Sequence, residues 1–86
     1  MFYVYVLRSV KDGRFYIGMT SDLKRRILKH NAGGVDSTKH RRPFVLEYSE
    51  AYEAKAEAME RERRLKLLKS HLAIEEIIGT GGRAPR

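Results

Sequence analysis

The chain has no cysteine, so neither a disulfide framework nor a cysteine-based zinc site can supplement its core. Its three histidines are scattered and make a poor metal cage. No apolar run approaches the length of a membrane span. The short run from Phe2 to Leu7 lacks the preceding basic region of a secretory leader, so the reading is a protein with no membrane partner. The missing thiols agree with a cytoplasmic location. Acidic residues are also in short supply. Eleven Asp and Glu face eighteen Lys and Arg, which leaves a net charge of +7 on 86 residues and a pI of about 10.0. Such a surface attracts polyanions, and phosphate backbones are the commonest of these. Charge nominates nucleic acid as the partner class; it does not name an activity.

The remaining composition suits one small domain with a single modest core, since 42% of the residues are hydrophobic. No internal repeat, linker or second domain is legible. The order of elements reads β-β-α-β-α-α, an α/β (α+β) arrangement. Residues 2 to 8 and 14 to 18 are rich in β-branched and aromatic types, and Asp12-Gly13 between them signals a hairpin. Thr20, Ser21 and Asp22 supply helix-start chemistry, and Asn31 with Gly33-Gly34 marks the stop, so a first helix is expected over about 21–31. After a polar, basic stretch, Pro43 leads into a third strand over 44–48. A long helix follows from about Tyr52 to Leu68, and Ser70 caps a last one through Ile78. One domain over 1–79 and a flexible tail over 80–86 are the expected organisation.

The unusual side chains converge. A two-residue Asp12-Gly13 loop pairs Lys11 with Arg14, which puts Tyr3, Tyr5 and Leu7 on one face with Tyr16 and Gly18. Phe2, Val4, Val6, Phe15 and Ile17 take the other face. Gly18 has no side chain, so it leaves room beside the tyrosines for a ligand or another backbone. On the first helix Arg26 and His30 flank the seam formed by Leu23 and Ile27, whereas Lys24, Arg25 and Lys29 lie farther round. On the long helix Ala51, Ala54, Ala58 and Leu65 define a buried stripe, and Glu62 alone of four glutamates falls on it. An inward carboxylate needs a partner, either a buried cation or a divalent metal. A single oxygen ligand suits Mg²⁺, which keeps most of its water and shares phosphate oxygens.

Together these residues resemble the GIY-YIG nuclease family, and more closely its small stand-alone bacterial members, the UPF0213-like proteins. Tyr3-Val4-Tyr5 stands where the family has Gly-Ile-Tyr, and Tyr16-Ile17-Gly18 matches Tyr-Ile-Gly. Arg26 follows at the place of the family arginine, with His30 one turn later where a His or Tyr is common. The segment Ala58 to Lys66 resembles the one that bears the family's metal-binding glutamate, here Glu62. There are two departures: Tyr3 replaces the first glycine, and Met19 sits where excision-repair relatives carry a lysine.

The resemblance implies a three-stranded antiparallel sheet flanked by helices, and metal-dependent hydrolysis of a phosphodiester. Tyr5 or Tyr16 helps to activate the attacking water, and the sequence does not choose between them. Arg26 neutralises charge on the phosphoryl oxygens, and Mg²⁺ or Mn²⁺ on Glu62 stabilises the leaving 3′-oxygen. His30 shares the base role or orients a phosphate. Gly18, Lys24, Arg25, Lys29, Lys39, Arg41 and Arg42 are the candidate contacts to nucleic acid, DNA ahead of RNA. With no attached targeting domain legible, low sequence specificity is expected. The alternatives are a non-catalytic nucleic-acid-binding module of the same fold and, behind it, a protein-interaction domain using the helix over 52–68.

Overall fold

The computed structural model describes residues 1–80, so of the tail expected over 80–86 only Thr80 is described and the rest lies outside. Strands β1 (Phe2–Ser9), β2 (Phe15–Thr20) and β3 (Phe44–Tyr52) form one sheet in the order β2-β1-β3, with both pairings antiparallel. Helix α1 (Leu23–Asn31) follows the hairpin, a short 3₁₀ turn occupies Lys39–Arg41, and α2 (Lys55–Leu67) and α3 (His71–Ile78) close the order. The central strand is the most apolar, with Val4, Tyr5, Val6 and Leu7 all buried, because it is covered on both faces.

The two faces hold separate clusters. Val4, Val6 and Tyr48 pack with Ala58 and Leu65 of α2 and Ile74 of α3. Tyr5, Leu7 and Phe44 pack with Tyr16 and with Leu23 and Ile27 of α1. Helices therefore lie on both sides of a small sheet. The local signals explain where they start: the Asp22 side chain accepts from the Arg25 N–H at 3.1 Å, and Ser70 Oγ accepts from the Ala73 N–H at 3.2 Å.

Three expectations need correction. The hairpin does not pair Lys11 with Arg14. Instead Ser9 N–H donates to Arg14 O at 2.9 Å and Gly13 N–H to Ser9 O at 2.8 Å, so the loop is Val10–Gly13. Side chains close this longer loop: Ser9 Oγ accepts from Asp12 N–H, Asp12 Oδ1 accepts from Arg14 N–H, and Gly13 takes a positive φ of 74°. The register moves by two residues, which keeps parity, so every side chain stays on its expected face.

Strand β3 runs to Tyr52 and not to 48, because β1 offers it eight residues of pairing from Phe2↔Tyr52 to Ser9↔Phe44. A bulge absorbs the extra residue at Glu47, which stands between the pairs Leu7↔Leu46 and Val6↔Tyr48. It also inverts the strand's facing, which is why Phe44 and Tyr48, an even number of residues apart, sit in opposite clusters. In consequence α2 starts at Lys55. Ala51 belongs to β3 and Ala54 is the N-cap, so neither is part of the helical stripe that Ala58 and Leu65 do form.

Candidate active site

The site is built on the α1 side of the sheet, where β1 and β2 bring two phenols together. Tyr5 lies opposite Gly18 in the ladder, and a Cβ on Gly18 would fall 2.4 Å from the Tyr5 hydroxyl. The space expected to admit a ligand is thus filled by Tyr5. Gly18 is buried, and its role is to let the phenol lie flat against β2. Tyr16 pairs opposite Leu7 on the same face, with its ring centroid 6.4 Å from that of Tyr5.

Helix α1 supplies the polar groups. Arg26 and His30 stand one turn apart and both reach the Tyr5 hydroxyl. Arg26 Nε–H donates to Tyr5 Oη at 3.3 Å, and Tyr5 O–H donates to His30 Nε2 at 3.0 Å. On its other side His30 Nδ1–H donates to Thr38 Oγ1 at 2.9 Å, and the threonine O–H donates to Val35 O at 3.4 Å. The direction follows from the ends of the chain of bonds: a guanidinium cannot accept and a carbonyl cannot donate. Tyr5, His30 and Thr38 are all fully buried. The His30 ring packs edge-on against Tyr16 at 4.8 Å and Phe44 at 5.9 Å.

Electrostatics sets the protonation states. Burial, then the charges of Arg26 and Lys29, lower the His30 pKa to about 4, so the imidazole is neutral at pH 7. Burial raises the Tyr5 pKa, partly offset by the bond and charge of Arg26, while Tyr16 and Glu62 add to the rise. The bond to Tyr5 raises the Arg26 pKa against the opposing effect of burial. The result is a fixed cation beside two neutral aromatic groups.

Glu62 sits on α2, which packs on the sheet face opposite Tyr5, and its charge makes a minor contribution to the rise of the Tyr5 pKa. Its carboxylate is 25% exposed, and its partner is Lys66, half-exposed on the same helix at 3.4 Å. The buried cation offered as one explanation for Glu62 is therefore absent among the described residues. No cluster of three or more His, Asp or Glu side chains that could cage a metal occurs among them either. A single accessible carboxylate fits a cation that keeps water and phosphate oxygens for the rest of its shell.

Lys24, Arg25 and Lys29 are exposed on α1. Arg25 and Lys29, with Arg26, Leu28, Ala32 and the Thr20–Asp22 segment, line an open depression of about 620 Å³ that neither phenol lines. Lys39 is exposed and faces Asp36 at 3.8 Å, and Arg42 lies over Gly33 with its side chain exposed. Arg41, expected to touch nucleic acid, is instead committed to the fold. It pairs with Asp12 at 3.2 Å, donates to Phe15 O and stacks over Phe44, tying the hairpin loop to the 3₁₀ turn.

Two features escaped sequence reasoning. Thr38 completes the bond chain from a loop that carried no signal. Glu50, 2% exposed in β3, accepts from Tyr48, from Tyr52 at 2.5 Å and from Arg61 of α2 at 2.9 Å. Burial alone would raise its pKa, but the bonds from Arg61, Tyr48 and Tyr52 carry it below the ordinary carboxylate value. The alternation Tyr48-x-Glu50-x-Tyr52 was the available clue, since the three share a face.

A small antiparallel sheet presenting two phenols, with an arginine and a histidine above them and a glutamate on the helix that covers the other face, defines a nuclease-type fold. The family described as the GIY-YIG catalytic domain matches residues 1–73, and the chain belongs to it. It is similar to a UPF0213 protein of Halobacterium salinarum, 45% identical over 69 residues, covering 79% of this chain and 88% of that one. A UPF0213 protein of Bacillus pumilus is 44% identical over 79 residues, covering 87% and 80%. The solution structure of a UPF0213 protein from Bacillus halodurans superposes with a TM-score of 0.58 at 40% identity, over 93% of this chain and 85% of that one.

Proposed function

We propose that this chain is a divalent-metal-dependent endonuclease that hydrolyses phosphodiester bonds in DNA, and secondarily in RNA, with low sequence specificity. The observation that carries this reading is the junction at Tyr5, where a charged Arg26 and a neutral His30 are bound to one buried phenol beside a second phenol that solvent can reach. Arg26 stabilises negative charge as it builds on the phosphoryl oxygens. Tyr16 is partly exposed and Tyr5 is not, so Tyr16 is the phenol that, in its phenolate form, orients the attacking water and takes its proton. Tyr5 and His30 hold Arg26 in place and exclude water behind it. When bound through Glu62, Mg²⁺ or Mn²⁺ supplies the positive charge that stabilises the departing 3′-oxygen. Lys24, Arg25 and Lys29 keep the phosphate backbone in register. The cytoplasm is the setting that a chain without cysteine suits.

The test is cleavage of duplex, branched and single-stranded DNA and of RNA with Mg²⁺ or Mn²⁺, run beside Glu62→Gln. The variant should bind nucleic acid and melt near the wild-type temperature, because Lys66 is half-exposed and such pairs contribute little, yet it should not cleave. The ion pair with Lys66 favours a second reading, a binding module of the same fold without catalysis. Salt-sensitive binding with no cleavage under any metal would select it.

A further inference from the structure

On the side of β2 away from the phenols, Arg14, Lys66, Lys69 and His71 rim a groove of about 270 Å³ whose floor includes Phe15 and Ile17. We propose that this groove holds an unpaired nucleotide of the substrate, so that a duplex carrying a single-stranded flank is preferred over a blunt one. The inference rests on the nuclease reading and names the substrate form it takes.

Charge and surface type argue together. Arg14 and Lys69 are exposed and have no ion-pair partner among the described residues, while Lys66 reaches Glu62 and His71 reaches Glu75 at 3.3 Å. A rim of this kind fits phosphates. The floor fits something else. The His71 ring stacks on Phe15 with centroids 4.3 Å apart and planes 11° from parallel, and the imidazole is 55% exposed. Phe15 supports one face of His71, and a base can lie against the exposed ring. A duplex presents phosphates outward and keeps its bases stacked, so it has no use for an apolar floor. An unpaired base does.

Position links the groove to the catalytic cluster. Phe15 and Ile17 alternate with Tyr16 and Gly18 along β2, so groove and phenols lie on opposite faces of one edge strand. Lys66, on the rim, is one helical turn from Glu62. A strand crossing the outer edge of β2 therefore passes from the face that carries Arg26 and Tyr16 to the face that carries the cationic rim.

The probes are a labelled blunt duplex and the same duplex with a short unpaired flank, bound without divalent cation and followed by fluorescence anisotropy. The wild type should bind the flanked probe about tenfold more tightly, the worth of about one stacked base. His71→Ala, which removes the ring the base lies against, should erase that preference and leave blunt-duplex affinity in place. Equal wild-type affinity for the two probes overturns the proposal, as does a His71→Ala variant that keeps the preference or weakens both alike. Metal-dependent cleavage of both probes at equal rates overturns the groove and leaves the nuclease standing, whereas failure to bind either overturns both.

Discussion

The Tyr5 hydroxyl donates to His30 Nε2 at 3.0 Å across a separation of 25 residues, and both side chains are completely enclosed. A phenol and an imidazole buried together form a polar pair that has to be satisfied within the protein. Arg26 and Thr38 complete it from either end.

The first consequence is a pH dependence of stability. His30 takes up its proton at about 4 in the fold against 6.5 in the unfolded chain, so between these values the unfolded state binds more protons. Stability is fully present above about pH 6.5 and should fall by about 3 kcal/mol as pH drops toward 4. His30→Gln should flatten the decline between pH 6.5 and about 5, above the usual range of carboxylate titration. Urea unfolding at closely spaced pH values reads this directly, and an unchanged slope in the variant would sink the assignment.

The two tyrosines should separate by measurement. Tyr5→Phe leaves His30 Nε2 buried without a donor and should cost about 1–3 kcal/mol of stability. Tyr16→Phe should melt within a few degrees of wild type and lower cleavage about a hundredfold or more. Paired melting and cleavage assays check both; the reverse pattern would make Tyr5 the phenol that acts on water.

Gly18→Ala should be destabilising although alanine is the smallest change available. Its Cβ would lie 2.4 Å from the Tyr5 hydroxyl and 2.6 Å from Cζ, clashing with a side chain held by two hydrogen bonds. Overpacking of this kind costs about 1–3 kcal/mol. With Tyr5→Leu in the background most of the cost should vanish, so a double-mutant cycle that is simply additive would refute the contact.

Glu50→Gln should cost about 3 kcal/mol, because Arg61 loses its buried counter-charge. Since the Glu50 pKa is lowered in the fold, the stabilisation is present above about pH 4.5 and lost as pH falls below it. Denaturation from pH 3 to 7, in wild type and variant, tests magnitude and window together.

Much of the fold was legible because its signals are local. Asp22 and Ser70 act within three residues of where they stand, and alternation in β1 and β2 assigns faces whatever the loop length. The hairpin register was misread by two residues because the Asp12-Gly13 signal does not count the bonds that Ser9 and Asp12 add to the loop. Strand β3 was cut short because its length is dictated by β1, distant in sequence, and its bulge has no signature of its own.

By itself the sequence determined the order of elements, the excess of positive charge, the shared sheet face of Tyr5 and Tyr16, and the shared helix seam of Arg26 and His30, since each depends on local periodicity. Only the tertiary structure decided that Tyr5 is sealed and Tyr16 is not, that Gly18 makes room for a phenol, that Arg41 is spent on the fold, and that Glu50 is the enclosed carboxylate. Burial and hydrogen-bond partners belong to surfaces that come together from residues far apart in the chain, and no local pattern encodes them.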